Sequence, residues 1–182
     1  MLVLGLSGSL RRGSHNRRLL AAAAAELPAG VQLDVFEDLS HVPPYSEDEP
    51  SPEAVRSLRA AIGAADAVLI ATPEYNSSIP GQLKNALDWA SRPFPDNELR
   101  DKPVAVVGAS TGLFGAVWAQ AELRKVLRAT GARVIDGELP VGQAHAAFTP
   151  GGRLADPELR SALNELLGQL LDESRSGVDL CA

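Results

Sequence analysis

The stretch MLVLGLSGSLRRGSHN, residues 1–16, decides the fold. Its first residues form a short apolar run that favours a buried strand, and small polar residues and two arginines follow directly. Five consecutive alanines come next, at residues 21–25, in a segment that ends before Pro28 and Gly30. Since such a segment favours a helix, the chain opens with the strand, loop and helix of a βα unit.

The same alternation continues along the whole chain. Short runs of Val, Ile and Leu predict five strands, at residues 2–7, 31–37, 67–72, 104–110 and 133–139. The segments between and after them predict helices at about residues 16–27, 52–64, 80–90, 115–130 and 157–172. Ser51 is the expected N-cap of the second helix. These five βα units predict an α/β fold with a doubly wound, mainly parallel sheet, which binds ligands at the carboxyl ends of its strands.

Composition and length narrow the class of protein. The 182 residues, 45% hydrophobic and 22% charged, suit one globular domain, which we place at residues 1–173, with 174–182 as a disordered tail. The net charge of -6 argues against binding to nucleic acid or to anionic lipid. The apolar start reaches Ser7 too soon for a signal peptide or a membrane span, so we expect a cytoplasmic protein. The single cysteine, Cys181, allows neither a disulfide framework nor a cysteine-based metal site within one chain.

The loop after the first strand has the chemistry of an anion site. Hydrogen-bond donors are available at Ser7, Ser9, Ser14 and Asn16, a cation is available at Arg11 or Arg12, and a helix starts at the end of the loop. The alternative is an ordinary Gly/Ser turn in which Ser14 or Asn16 caps the helix and the arginines are solvated. We interpret His15 as a surface neighbour of the cap and do not place it in the site.

Two better-known phosphate loops are excluded by inspection. Gly8 and Gly13 have the spacing of a triphosphate-binding loop, but Ser14 and His15 stand where that loop needs Lys and Ser or Thr. The dinucleotide motif G-x-G-x-x-G fails because the glycines fall at positions 5, 8 and 13. A site for a single phosphate, without a metal ion, remains.

The loop after the third strand is rich in polar and aromatic residues. It reads PEYNSSIPGQLKNALDW, residues 73–89. One interpretation is that the backbone N–H groups of Tyr75 and Asn76 contact a planar heteroaromatic ligand. Simple packing of Tyr75 and a turn at Asn76 and Ser77 explain the residues equally well.

The loop after the fourth strand allows a different enzyme. Gly108-Ala-Ser-Thr-Gly112 matches G-x-S-x-G, the turn that presents the nucleophile of α/β-hydrolases, which here is Ser110. Asp136 and His145 follow in the order that a catalytic triad requires. However, the residues from Gly112 to Gly115 separate the serine from the helix that should begin directly behind it. The hydrolase hypothesis also does not explain the anion-site chemistry of the loop after the first strand.

Two of these motifs together resemble one known family. PEYNSSIPGQLKNALDW closely resembles the motif of the NADPH-dependent FMN reductase family, which includes chromate, quinone and azo-dye reductases of flavodoxin-like fold. GSLRRGSHN resembles the phosphate loop of the same family, and the similarity extends over most of residues 1 to 130. Two features depart from the family pattern. Ala116 replaces a common glycine, and Val117 and Trp118 stand where an arginine is frequent.

The resemblance implies a cofactor, a reaction and a set of site residues. It implies a sheet order of 2-1-3-4-5, bound FMN, and NADPH or NADH as co-substrate, with flavin N5 carrying the hydride and no catalytic acid or base. By matching position, it implies that the FMN phosphate is bound by Ser9, Arg11, Ser14 and Asn16. It likewise implies that the flavin ring is lined by Pro73, Glu74, Tyr75 and Asn76, with Ser110, Thr111 and Gly112 on its other edge.

The resemblance also bears on the acceptor and on assembly. Electrons would pass to a quinone or to another small acceptor such as a flavin, chromate or an azo compound, in a homodimer or homotetramer. Ile79, Leu83, Leu87 and Trp89 are compatible with a subunit contact and equally with core packing. The alternatives are an FMN electron carrier that has no substrate pocket and a serine hydrolase that uses Ser110.

Overall fold

The structure is a computed structural model that describes residues 1–48 and 50–178. Its elements are β1 (Leu2–Ser7), α1 (His15–Glu26), β2 (Gln32–Val35), a short 3-10 helix (Asp38–His41), α2 (Glu53–Ala64), β3 (Ala67–Thr72), α3 (Gly81–Ala90), β4 (Pro103–Ala109), α4 (Val117–Ala129), β5 (Arg133–Val134), β6 (Pro140–Val141) and α5 (Pro157–Val178). None of the helices in these described residues is both long and apolar enough to cross a membrane.

The strands form one parallel sheet in the order β2-β1-β3-β4-β5, which confirms the predicted fold class. In the middle of the sheet, β1 pairs with β3 up to Ser7 and Ala71, and β3 pairs with β4 up to Thr72 and Gly108. The carboxyl ends of β1, β3 and β4 therefore lie side by side, and the three loops that follow them start at the same edge.

The fifth strand was predicted as one run at residues 133–139, and this prediction is wrong. Two short segments pair with β4 instead, β5 near its start and β6 near its end. Near the start of β6, the fully buried side chain of Gln120 in α4 binds the backbone of this segment. Its Oε1 accepts from the N–H of Leu139 at 3.0 Å, and its Nε2 donates to the carbonyl of Gly115 at 3.0 Å. The amide of one side chain thus replaces part of a strand.

The core has two layers because the strands of the central sheet are buried on both faces. One layer packs α2, α3 and α4 against residues such as Leu6, Ile70 and Val106. The other packs α1 and α5 against Leu69 and Val107. Each fully buried leucine or isoleucine contributes about 1.5–3 kcal/mol of transfer free energy. The apolar residues of the α3 region, namely Ile79, Leu83, Leu87 and Trp89, are all buried here. Core packing therefore accounts for them.

The starts of α4 and α2 differ from the prediction for identifiable reasons. α4 begins at Val117 rather than 115, because Gly115 and Ala116 both have left-handed backbone angles, with φ of 57° and 63°. The N-cap of α2 is Pro52, since the Oγ of Ser51 accepts a hydrogen bond from Arg59 instead of capping the helix.

α5 is longer than expected. It continues to Val178, and the Oγ of the buried Ser174 donates to the carbonyl of Leu171 at 3.1 Å. The disordered tail predicted from residue 174 is therefore wrong for residues 174–178, which are helical. Residues 179–182, with Cys181, lie outside the described residues.

Candidate functional site

The loops after β1, β3 and β4 meet in one cleft of about 90 Å³ at the carboxyl edge of the sheet. The structure brings most of the predicted site residues to its walls: Ser9, Arg11, Ser14, Asn16, Pro73, Glu74, Tyr75, Ser110 and Thr111. Asn76 and Gly112 were predicted with them and are not among its lining residues. His15 and Ala109, which we had not placed in the site, line it as well.

The loop after β1 is folded so that its donors face the cleft. The Oγ of Ser7 donates to the carbonyl of Ser9 at 3.3 Å, and the N–H of Ser14 donates to the carbonyl of Arg11 at 3.2 Å. Ser14 is the N-cap of α1, and its Oγ accepts from the N–H of Arg17, which leaves its hydroxyl proton free to donate. The first-turn amides have no acceptor within the helix, and the helix dipole favours an anion beside them. This wall suits a phosphate group.

Asn16 holds this loop against the sheet. Its Nδ2 donates to the carbonyl of Ala109 at 2.9 Å, and the N–H of Ala109 donates back to its Oδ1 at 2.9 Å. Pairing between β3 and β4 ends at Thr72 and Gly108, so the Asn16 amide continues the hydrogen bonding one residue further. Asn16 is only 2% exposed. Most of its amide is committed to the backbone, so its contribution to the cleft is mainly to position the loop.

The loop after β3 begins with a tight turn. Tyr75 and Ser78 exchange backbone hydrogen bonds of 3.0 and 3.1 Å, and the two residues between them, Asn76 and Ser77, have φ values of 53° and 60°. Two successive left-handed residues define a type I′ turn, for which asparagine is favourable. Asn76 is exposed at the tip of the turn, whereas Pro73 is buried at its base. The turn thus carries Asn76 away from the cleft wall.

Glu74 links this loop to α4. Its Oε2 accepts hydrogen bonds from the N–H of Trp118 at 3.1 Å and from the N–H of Ala119 at 3.2 Å. The residue at the N-cap position of α4, Ala116, has no side chain that could do this. Glu74 therefore caps a helix 44 residues further along the chain, a role that no local sequence pattern indicates. Its carboxylate also neutralises the positive end of the α4 dipole.

The loop after β4 is pinned to the segment that follows β6. The N–H of Ser110 donates to Val141, and the carbonyls of Ser110 and Gly112 accept from Ala144 and Gln143, at 2.9 to 3.0 Å. At Gly115 the contact is so close that a Cβ atom would lie 2.3 Å from a backbone carbon of Pro140. Only glycine fits there, and the loop has little freedom to move.

Ser110 does not have the surroundings of a hydrolase nucleophile. Its Oγ accepts from the N–H of Gly112 at 3.1 Å, and within the described residues it makes no hydrogen bond with a histidine. α4 begins at Val117 and not directly behind the serine. Asp136, the proposed acid, is almost fully exposed and contacts Arg128. The three residues of the hydrolase hypothesis therefore do not form a triad.

Several apolar side chains in the three cleft loops and at the start of α4 are exposed. Leu10, Tyr75, Leu113, Phe114 and Trp118, which we call the apolar rim, are between 47% and 71% exposed. Phe114 and Trp118 contact each other edge to face, with ring centroids 5.2 Å apart. Since neighbouring exposed apolar groups mark binding surfaces, the Phe114–Trp118 pair is a surface on which a flat, apolar molecule can rest.

The fold and the site together define a flavodoxin-like α/β protein with a phosphate-type loop after β1 and a polar, aromatic loop after β3. The family model described as NADPH-dependent FMN reductase matches residues 1–146. The chain therefore belongs to the NADPH-dependent FMN reductase family, and it is an oxidoreductase that uses FMN and NAD(P)H.

Relatives and solved structures agree with this assignment. The chain is 44% identical over 172 residues to an NAD(P)H-dependent FMN reductase from Pseudomonas aeruginosa, which covers 92% of both chains. It is 40% identical over 129 residues to a quinone reductase from Escherichia coli K12, covering 69% of this chain and 68% of the relative. The fold is similar, with a TM-score of 0.85 and 34% identity, to the flavoenzyme NAD(P)H:(acceptor) oxidoreductase from Paracoccus denitrificans, covering 96% of this chain and 97% of that one.

Proposed function

We propose that the protein transfers electrons from NADPH or NADH, through bound FMN, to a quinone or another small acceptor such as a flavin, chromate or an azo compound. The convergence of the loops after β1, β3 and β4 in one cleft carries this proposal. FMN, when bound, would supply the hydride and electron-transfer chemistry, so the residues of the cleft would hold and orient the cofactor and provide no acid or base.

The residues of the cleft fit the two parts of FMN. The β1 loop supplies what a phosphate requires: the buried hydroxyls of Ser9 and Ser14, first-turn amides and the exposed guanidinium of Arg11. Asn16 positions this loop through Ala109. We assign the phosphate to these four residues.

The flavin ring is assigned to the walls on either side of the cleft. Pro73, Glu74, Tyr75 and Asn76 belong to one wall and Ser110, Thr111 and Gly112 to the other, and the Glu74 cap sets the spacing between them. Asn76 and Gly112 lie outside the cleft lining, so we assign them only backbone contacts. Of the two walls, the β4 side is the more tightly fixed, because the hydrogen bonds to residues 141–144 hold it.

The apolar rim supports a reductase over an electron carrier. A carrier needs only an exposed ring edge, whereas a reductase needs a surface on which a nicotinamide and then an acceptor can stack. Tyr75, Phe114 and Trp118 offer such a surface beside the cleft. Trp118 stands where an arginine is frequent in the family, which favours flat, apolar acceptors such as quinones at this position.

The experiment that tests the proposal uses the purified full chain, FMN, NADPH or NADH, and a quinone under anaerobic conditions. We expect FMN to bind, its absorption bands to bleach when the nicotinamide is added, and the bands to return when the quinone is added. Bleaching that fails with both nicotinamides would contradict the reductase and favour the carrier. Trp118→Ala should raise KM for the quinone, because the backbone of Trp118 contacts the cleft residue Glu74. Phe94→Ala, which removes an exposed aromatic between α3 and β4, should not.

We further propose a cytoplasmic homodimer or homotetramer. The exposed side chains of Leu113, Phe114 and Trp118 support a subunit contact next to the cleft, because monomers seldom leave neighbouring apolar groups in water. Light scattering during gel filtration measures the mass directly. A monomer at micromolar concentration, with or without FMN, would contradict the assembly.

A further inference from the structure

His15 lies on the wall of the cleft, on the first turn of α1, between the cap Ser14 and Asn16, which we call the clamp because it binds the backbone of Ala109. Its Nδ1 is shielded from solvent and has no hydrogen-bond partner in the described part of the chain. A buried polar atom without a partner is costly, typically by about 1–3 kcal/mol, and it often marks the place of a ligand. The other residues of the cleft do not satisfy this atom.

The charged groups that act on His15 are cationic, and the one carboxylate among the lining residues of the cleft, Glu74, is hydrogen-bonded to the first turn of α4. Arg11 faces it from the loop, Arg18 from the next turn of α1, and His145 from the segment after β6. Burial lowers the pKa of His15 below its ordinary value, and the arginines and His145 lower it further. Without a ligand, His15 is therefore a neutral imidazole near pH 7.

We propose that His15 is a further phosphate-binding residue, which takes up a proton when the phosphate of FMN enters the cleft. This inference depends on the proposed FMN site. Protonation adds an N–H to the ring and a charge beside the phosphate, and the phosphate supplies the acceptor and the negative charge that the protein lacks there.

The sign of the pH dependence follows from linkage. A phosphate dianion next to the imidazole raises its pKa, so the pKa is higher in the complex than in the free protein. The contribution of His15 to FMN affinity is then largest at pH values below its free-state pKa, and it is lost as the pH rises through the pKa of the complex. Each unit by which binding raises the pKa corresponds to about a tenfold loss of affinity across this range.

Titration of the FMN phosphate itself has the opposite pH dependence, so proton exchange by the phosphate can be distinguished from proton uptake by His15. A phosphate monoester loses its second proton near pH ~6, so selective binding of the dianion releases protons at low pH. Uptake of protons at pH 7 to 8 therefore reports a group on the protein. Riboflavin, which has the same ring and no phosphate, is the matched ligand control.

The test is titration calorimetry of the FMN-free full chain with FMN, in two buffers of different ionisation enthalpy, between pH 6.5 and 8. We expect the wild-type chain to take up a fraction of a proton per FMN, His15→Gln to lose this uptake, and His145→Gln to keep it. Riboflavin should bind with no uptake. The FMN affinity of His15→Gln should become flat over this pH range.

Several outcomes would overturn the assignment. Proton uptake that is unchanged in His15→Gln would contradict it. Proton uptake that is lost only in His145→Gln, or that is equal for FMN and riboflavin, would also contradict it. If His15→Gln does not fold, NMR titration of the His15 ring in the wild-type chain decides, since a pKa that FMN does not raise contradicts the proposal. Failure of FMN to bind at all would instead contradict the proposed function.

Discussion

Two helices, α1 and α4, begin beside the cleft, and the N–H groups of their first turns have different hydrogen-bond acceptors. At α4 the carboxylate of Glu74 accepts from the N–H groups of Trp118 and Ala119, so the protein satisfies this helix end itself. At α1 the hydroxyl of the cap Ser14 accepts from the N–H of Arg17, and the first-turn residues His15 and Asn16 line the cleft instead of meeting a carboxylate of the protein. A helix start at the carboxyl edge of a sheet is therefore not enough to make an anion site, because an internal carboxylate can occupy it.

The largest loss of stability is expected when the contact that attaches the start of α1 to the sheet is removed. Asn16→Ala leaves the buried backbone N–H and carbonyl of Ala109 without partners, which should lower the free energy of unfolding by about 3 kcal/mol. Urea denaturation measures this loss. Asn164→Ala, on the exposed face of α5, is the control and should change stability by less than about 0.5 kcal/mol. Equal losses in the two variants would show that the clamp contributes nothing.

The next largest effect is expected on FMN binding by the loop that precedes α1. Arg11→Ala should weaken FMN binding by about 10- to 100-fold, since a charge-assisted hydrogen bond contributes about 1.5–3 kcal/mol. Quenching of FMN fluorescence measures the affinity. The neighbouring Arg12 is also exposed but does not line the cleft, so Arg12→Ala should weaken binding by less than about fivefold. Riboflavin affinity that falls as much as FMN affinity would argue against a phosphate contact.

A smaller effect is expected when the internal cap of α4 is removed. Glu74→Ala should destabilise the protein by about 1–2 kcal/mol, the usual cost of losing an N-cap acceptor. Glu74→Gln keeps an oxygen that can accept the same hydrogen bonds and should lose less than half of that. Thermal unfolding of the three proteins without FMN measures both changes. The cap would be irrelevant if neither substitution changed the melting temperature.

The smallest effect concerns the backbone just before α4. Ala116 has a φ of 63°, a conformation that costs an alanine roughly 1–2 kcal/mol, so Ala116→Gly should stabilise the protein by up to about 1 kcal/mol. Ala119→Gly lies three residues later in regular helix and should destabilise by about 1 kcal/mol. Urea denaturation of both variants distinguishes them. Destabilisation by both would mean that the left-handed angle stores no strain.

The sequence predicted the parts of this molecule that depend on local patterns. The alternation of apolar runs and helical segments predicted the fold class, and the resemblance of the loop motifs to one family predicted most of the residues that line the cleft. These predictions succeeded because a buried strand and the loop at its carboxyl end can be recognised within a few residues of sequence.

What the sequence could not give depends on contacts between distant residues. Glu74 caps α4 and Asn16 clamps Ala109, and each pair is too far apart in the chain for a local pattern to indicate it. The broken fifth strand has the same origin, because Gln120 belongs to α4 and replaces the missing pairing from outside the strand. His15 was set aside because its buried Nδ1 is a property of packing and not of the sequence pattern.

The clamp between Asn16 and Ala109 also makes one amide proton a reporter of cleft opening. The Ala109 N–H is protected by a side chain that arrives from the phosphate loop and not by a neighbouring strand. Any opening that frees the loop must expose this proton to exchange with deuterium, while its neighbours within β4 stay protected. Its exchange rate should therefore slow when FMN occupies the cleft, which gives a measure of cofactor residence that requires no redox chemistry.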